Sequence, residues 1–191
     1  YSCAVRSDRT AWCWGYNEYG QLGDGTRVRR TAAVQVQGLT DVSQIAATYW
    51  STCALRGDGT VWCWGFGGYG ELGDGATTMR TAPVQTTGLT HITSLSAAGS
   101  HMCALRSDGT VVAWGDNRLG QCNVPPIPSG RTIVSLKVGG DWLTNYRADG
   151  LIVATPSGSA PTLTLVTSGP TAPTRPTPSR PPKAGSGGRM P

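Results

Sequence analysis

Six cysteines are the residues of this chain best equipped for chemistry, and four of them are regularly spaced. Cys3 and Cys13 lie ten residues apart, and Cys53 and Cys63 repeat the interval. Each pair brackets a turn sequence, Ser7-Asp8-Arg9 in the first and Gly57-Asp58-Gly59 in the second. The second suits a three-residue hairpin loop, a type I turn followed by glycine in the left-handed region. That register sets Arg56 against Thr60, Leu55 against Val61, Ala54 against Trp62 and Cys53 against Cys63. The cysteines then oppose each other at a non-hydrogen-bonded site, with Cα atoms about 4.5 Å apart. That lies at the near edge of the disulfide range. Cross-strand bridges Cys3–Cys13 and Cys53–Cys63 are thus geometrically available. Buried free thiols are the competing reading, since cysteine packs as a small hydrophobe. One interval used twice favours the bridges, and with them an oxidising, extracellular or cell-envelope compartment. Cys103 faces Ala113, and its remaining candidate partner is Cys122, reachable only if a loop folds back. Arg9 stands where the other copies carry glycine, so it is expected to hold left-handed strain.

Other chemistries find little support. A zinc site needs closely spaced cysteines or neighbouring histidines, and neither occurs. The two histidines, His91 and His101, form no nucleophile, paired-carboxylate or metal constellation at useful spacing. Asp24-Gly25 and Asp74-Gly75 lack the alternating carboxylates and distal Glu of a calcium loop. The glycine-rich stretches around them lack the Lys-Ser/Thr ending of a phosphate loop. No catalytic residue, metal or cofactor is therefore expected. The net charge is +5, but four basic residues and no acid lie beyond Gly150, leaving +1 for residues 1–150. A nucleic-acid groove would need clustered Lys and Arg there, so no nucleic-acid partner is expected. No apolar run approaches the ~20 residues of a membrane helix, so no membrane insertion is expected.

The cysteine hairpin is the unit that positions everything else. It reads CAVRSDRTAWCWG from Cys3, CALRGDGTVWCWG from Cys53 and CALRSDGTVVAWG from Cys103. A worn copy, TNYRADGLIVATP, starts at Thr144. Copies at this interval indicate a solenoid, propeller or array. Ahead of each hairpin, period-two patterning predicts two more short strands, at 33–36 and 42–47, then at 83–86 and 92–97. Four strands per unit, taken as 31–65 in the best-defined case, is the anatomy of a propeller blade. Both hairpin faces are apolar. Cys53, Leu55, Val61 and Cys63 line one, and Ala54, Trp62 and Trp64 the other. Such a sheet has to be covered on both sides, which radial stacking achieves, so the tryptophans are expected mainly in the core. The fold expected is all-β: a partial β-propeller of three to four four-stranded blades over residues 1–156. Residues 157–191 form a Ser/Thr/Pro/Gly-rich basic tail expected to be disordered, apart from one last strand at 163–166.

The string C-A-L-R-x-D-G-T-V-x-x-W-G-x-N-x-x-G-Q-L-G-D-G-T resembles the regulator-of-chromosome-condensation repeat, in its bacterial, cysteine-bearing form. Asn117 keeps the repeat's Asn and Gly67 departs from it. The resemblance implies a propeller of about seven blades, closed by further blades in cis or by a second chain. It also implies a choice of tasks. Some relatives exchange nucleotide on a small GTPase. Others resemble the type II β-lactamase-inhibitory protein, which grips another protein with one propeller face. On that plan the contact turns here hold Tyr49, Trp50, Ser100, His101, Asp141 and Trp142. Aromatic and Asp residues are good interface material. The function expected is non-catalytic binding of a protein partner. The alternatives are guanine-nucleotide exchange and a purely structural repeat. Arg27, Arg29, Arg30 and Arg80, in the inter-blade loops, mark a second candidate surface against the simpler reading of solvated cations.

Overall fold

The computed structural model describes residues 1–127, 133 and 135–138, with the strands Leu151–Val153 and Thr164–Val166. The described residues contain no helix. In chain order the strands are β1 (Ser2–Val5), β2 (Ala11–Gly15), β3 (Arg30–Gln35), β4 (Val42–Ala47), β5 (Ser51–Arg56) and β6 (Val61–Gly65). They continue as β7 (Arg80–Gln85), β8 (Ile92–Ala98), β9 (His101–Arg106), β10 (Val111–Gly115), β11 (Leu151–Val153) and β12 (Thr164–Val166). All pairing is antiparallel, in sheets β1-β2-β3, β4-β5-β6-β7, β8-β9-β10 and β11-β12.

The strands fall where patterning put them, but the blade is phased differently. Residues 33–36 do not open the blade that contains the second hairpin. Their strand, β3, pairs backward with β2, Cys13 opposite Val34, and β7 pairs with β6 in the same way. The complete blade therefore runs from Val42 to Gln85, and its fourth strand comes from the next sequence repeat. The chain crosses to the following blade only afterwards, through Gly38-Leu39-Thr40-Asp41. That crossing is anchored by Val42 N–H donating to Arg9 O at 2.8 Å and Gly57 N–H to Asp41 O at 2.8 Å.

Hairpin register agrees with the turn argument. Cys3 opposes Cys13 and Cys53 opposes Cys63, both pairs are bridged, and each Cα–Cα distance is 4.1 Å. Arg9 has φ 63°, in the left-handed region, and Gly59 in the matching turn has φ 77°. Each turn is fastened alike. Asp8, Asp58 and Asp108 accept from the backbone and hydroxyl of Thr10, Thr60 and Thr110 at 2.6–3.1 Å.

Both faces of the second hairpin are covered. Cys53, Leu55, Val61 and Cys63 pack with Leu95, Met102 and Ala104 of the third blade. Ala54 and Trp64 pack with Ala11, Cys13 and Leu22 of the first. Each interface is locked by an indole. Trp64 Nε1–H donates to Gln21 O at 2.8 Å, and Trp114 Nε1–H to Glu71 O at 2.9 Å. This contact explains the glycine in the first loop, where a Cβ at Gly23 would lie 2.8 Å from Trp64 Nε1; in the second loop a Cβ at Gly73 would meet Thr86 Cγ2 first and Trp114 Cδ1 next, at 3.2 Å. Trp14, the matching residue of the first blade, is 36% exposed.

In the third blade Cys103 and Cys122 are unbridged, Cys103 buried and Cys122 half-buried. Burial pushes the Cys103 thiol up to about 12, with a further push from nearby Cys122, and the Cys122 thiol up to about 11. The last strand expected from sequence is present as β12, paired with β11 of the worn hairpin. The rest of that hairpin, Asp141, Trp142 and the remainder of the tail lie outside the described residues.

Candidate functional site

Antiparallel pairing places the chain segments at two ends of the blades. The Asp-Gly hairpin turns and the crossings such as 38–41 lie at one end. The β4–β5 and β8–β9 turns lie at the other, together with the long loops that follow β2, β6 and β10. The two surfaces singled out in the sequence, the short turns and the Arg-bearing loops, are thus one end of the molecule.

The β4–β5 turn is tightly built. Thr48 N–H donates to Ser51 O at 2.8 Å, and the Thr48 hydroxyl meets the Ser51 hydroxyl at 2.7 Å. Tyr1 braces it from below, its hydroxyl donating to Ser51 O at 2.6 Å. Tyr49 N–H donates to Gly99 O at 3.1 Å, joining this turn to its counterpart in the next blade. Because Ser51 opposes Gly65, Trp50 lies across from Phe66, and Phe66 N–H donates to Trp50 O at 2.8 Å. Asp116 N–H makes the same bond to Ser100 O in the third blade, at 3.0 Å.

Around Trp50 the structure assembles an aromatic stripe that crosses the first two blades. Ring centroids are 6.4 Å apart for Tyr16–Tyr19, 5.4 Å for Tyr19–Phe66 and 5.9 Å for Tyr19–Trp50. Trp50–Phe66 follows at 5.8 Å, Phe66–Tyr69 at 5.7 Å and Tyr49–Trp50 at 6.3 Å. The Arg118 guanidinium closes the row, 4.3 Å from the Tyr69 ring centroid. Tyr16, Tyr49 and Tyr69 are 37%, 36% and 41% exposed, while Tyr19, Trp50 and Phe66 are half-buried between them. Leu119 continues the Tyr19/Tyr69 position into the third blade and is 46% exposed.

The loops hold these rings by internal hydrogen bonds. Leu22 N–H donates to Asn17 Oδ1 at 2.9 Å, and Asn17 Nδ2 reaches Thr26 O and Val28 O, each at 3.1 Å. Asn117 accepts from Cys122 N–H in the same manner at 2.9 Å. Gly67 departs from the pattern because Thr78 O lies 2.5 Å from where its Cβ would be. Tyr19 N–H donates to Gln21 Oε1 at 2.9 Å, and Tyr69 N–H to Glu71 Oε2 at 2.8 Å.

The arginines divide into two kinds. Arg30 and Arg80 clamp the nearly buried carboxylates of Asp24 and Asp74 at 2.8 and 2.9 Å, which makes them loop staples. Burial opposes ionisation of Asp24, but the Thr26 hydroxyl and Arg30 outweigh it and its pKa falls. Arg27 donates to Glu18 O at 2.6 Å, and Arg29 is exposed.

Of the expected contact residues, Tyr49 is exposed, Trp50 and Ser100 are half-buried, and His101 is buried at 8% exposure. Burial lowers the His101 pKa, opposed by the Asp116 carboxylate. His91 lies at the opposite end, where Ser107 N–H donates to His91 O at 2.9 Å, so the fold does not bring the histidines together. Sequence reasoning missed Tyr16, Tyr19, Phe66 and Tyr69. The available signal was an aromatic residue recurring at one repeat interval, Tyr16 with Phe66 and Tyr19 with Tyr69.

The profile of the regulator of chromosome condensation (RCC1) repeat matches residues 10–55 and 58–105, and a second profile of that repeat matches 42–71 and 92–121. No curated protein sequence matches the chain. Among solved structures, human WBSCR16 aligns with a TM-score of 0.64 at 19% identity, over 80% of this chain and 42% of that one. Prp20p from Saccharomyces cerevisiae, studied for its binding to Gsp1p and histones, aligns with a TM-score of 0.54 at 24% identity, over 65% of this chain and 32% of its own. Yeast RCC1 (Prp20) bound to Kap60 aligns with a TM-score of 0.52 at 19% identity, over 77% and 36%. The chain thus spans less than half the length of each of these proteins. These matches and the blade architecture lead to one statement: the chain belongs to the RCC1 repeat family, as consecutive β-propeller blades stapled by two disulfides.

Proposed function

We propose that this chain is a non-catalytic protein-interaction module that presents the loop-and-turn end of its blades to a protein partner outside the cytosol. The observation that carries the reading is the aromatic stripe, because tyrosine and tryptophan anchors dominate protein interfaces. Tyr49, Trp50 and Ser100, chosen from sequence, sit on or beside it, with Tyr16, Tyr19, Phe66 and Tyr69 supplying its other rings. Asp141 and Trp142 would extend it into the fourth unit. Two disulfides favour an oxidising compartment. Further blades, in cis or from a second chain, would complete the ring.

Guanine-nucleotide exchange on a small GTPase is the second reading, drawn from fold likeness to Prp20p. The disulfides count against it, since reducing compartments rarely sustain them. A purely structural repeat is the third. Partner capture from the native source fluid separates them. Loss of capture in Tyr49→Ala and Tyr69→Ala, with retention in Arg106→Ala at the opposite end, supports the interaction reading. Equal capture by all three variants refutes it. Free thiols at Cys53 and Cys63 in natively isolated protein would remove the support for an extracellular site.

A further inference from the structure

The loop-and-turn end has an electrical polarity that a charge count hides. Over residues 1–127 that end carries Arg27, Arg29, Arg30, Arg80 and Arg118 against Glu18, Asp24, Glu71, Asp74 and Asp116, so by count it is neutral. The hairpin-turn end is neutral too, with Arg6, Arg9, Arg56 and Arg106 against Asp8, Asp41, Asp58 and Asp108. Depth separates the two. In Arg30–Asp24, Arg80–Asp74 and Arg118–Asp116 the aspartate side chains are 4–10% exposed and the arginines 36–67%, so each pair stands upright with its cation outermost. In Arg6–Asp8, Arg9–Asp41 and Arg56–Asp58 the aspartates are 41–52% exposed and the arginines 27–59%, so both charges meet water. The other groups of the loop-and-turn end add to its bias. Glu71 is buried, and burial holds back its ionisation. Arg27 is engaged by the neutral Glu18 carbonyl, and exposed Arg29 pairs with no carboxylate among the described residues. Of the five acids only Glu18 is exposed.

We infer that the partner's contacting surface is acidic, with aspartate and glutamate side chains around an apolar anchor that packs on the rings. Complementary charge of this kind steers encounter and excludes wrong partners. The inference rests on the reading of this end as a docking face, and it adds the charge of what docks there. The cations bracket the rings as such a contact requires. Arg27 is held at Glu18, next to Tyr19, and Arg118 lies over Tyr69. The geometry favours protein carboxylates over the phosphates of a nucleic acid. Arg80 Nε and Nη2 both hold Asp74, at 3.0 and 2.9 Å, and Arg118 Nε and Nη2 hold Asp116 at 2.7–3.2 Å. Those forks are spent on the aspartates, whereas phosphate recognition draws on the bidentate fork. The rings are no base-stacking platform either. Tyr19–Phe66, Trp50–Phe66 and Phe66–Tyr69 meet at 69–74°, edge against face, so successive bases find no row of parallel planes.

Phe66 is the one phenylalanine in the chain, so selective labelling for NMR reports binding at the centre of the stripe. Three probes are added to the full chain at low salt: a short synthetic peptide of Asp-Leu-Glu repeats, its Lys-Leu-Lys counterpart, and a short oligothymidine. The acidic peptide should shift the Phe66 ring signals, and the other two should leave them in place. Arg29 has no ion pair to lose, so its substitution tests the field without disturbing the loops. Reversing one charge about 6 Å from a carboxylate changes their interaction by about tenfold in water, so Arg29→Glu should weaken the acidic peptide by about that factor. Arg29→Lys should bind it as the native chain does. Silence from the acidic peptide overturns the inference, as does equal or tighter binding of the basic peptide or of oligothymidine. Undiminished binding by Arg29→Glu overturns it too. In capture from the native fluid, loss of the partner by Tyr69→Ala with full retention by Arg29→Glu would overturn the inference and leave the partner-binding reading standing.

Discussion

Replacing Trp64 by Phe tests the inter-blade lock that gives the stripe its geometry. Trp64 is fully buried, and its indole N–H donates to Gln21 O at 2.8 Å. The substitution deletes that bond, worth about 1 kcal/mol net. It also removes one ring from a packed interface, a further ~1–2 kcal/mol at about 0.8 kcal/mol per methylene-sized group. The Gln21 carbonyl keeps the Thr52 hydroxyl at 2.9 Å, so it is not left unsatisfied. The expected total is about 2–3 kcal/mol. Trp14 is the internal control. It has the same hairpin position, is 36% exposed, and finds no acceptor among the described residues. Trp14→Phe should therefore cost under ~0.5 kcal/mol. Urea denaturation with intact disulfides, followed by far-ultraviolet circular dichroism and tryptophan fluorescence, reads both. Blades couple mainly to their neighbours, so divergence of the two probes in Trp64→Phe would mark the first blade uncoupling from the second. Equal costs for the two variants would refute the lock.

Three other outcomes follow from the same geometry. Changing Cys53 and Cys63 together to Ser should cost about 2–3 kcal/mol from loop entropy, measurable by thermal unfolding. Arg9→Gly should change stability by less than ~1 kcal/mol, since relief of the left-handed φ offsets loss of the exposed Arg9–Asp41 pair at 3.0 Å. Burial pushes the Glu71 carboxyl up, against the pull of the Glu71 and Tyr69 backbone amides. A raised acid favours folding when protonated, so its contribution is present below its unfolded pKa and is lost as pH rises through the folded one. Glu71→Gln, which copies Gln21 and Gln121, should therefore raise stability at neutral pH, with the gain vanishing in acid. Denaturation midpoints across pH 4–8 check the sign.

The hairpins were legible because their information is local. An Asp-Gly turn fixes register, register sets Cys53 opposite Cys63, and alternation then gives each face its residues. Even the strain at Arg9 follows from one missing glycine. Blade phase was not legible. Whether residues 33–36 pair backward with β2 or forward with β4 depends on register across the 16–29 loop, and no local pattern states it. The stripe was half legible. Tyr49 and Trp50 stood out because the next copy has Gly99 and Ser100 in their place. Tyr16, Tyr19, Phe66 and Tyr69 sat in stretches whose glycines explained themselves as turns, and only the fold shows that those turns stack their rings on one end. His101 misled for a related reason. A turn position suggests exposure, yet the chain rising into β9 tucks it beneath the surface beside Asp116.

On the proposed reading, the loop-and-turn end of the blades, and not the hairpin-turn end, meets a protein partner. Photo-crosslinking tests it most directly. A benzophenone side chain is placed at position 69 in one variant and at position 106 in another, and each is irradiated in the native fluid. A discrete crosslinked protein is expected from position 69 and none from position 106. The same yield from both positions, or crosslinks from 106 alone, would contradict it.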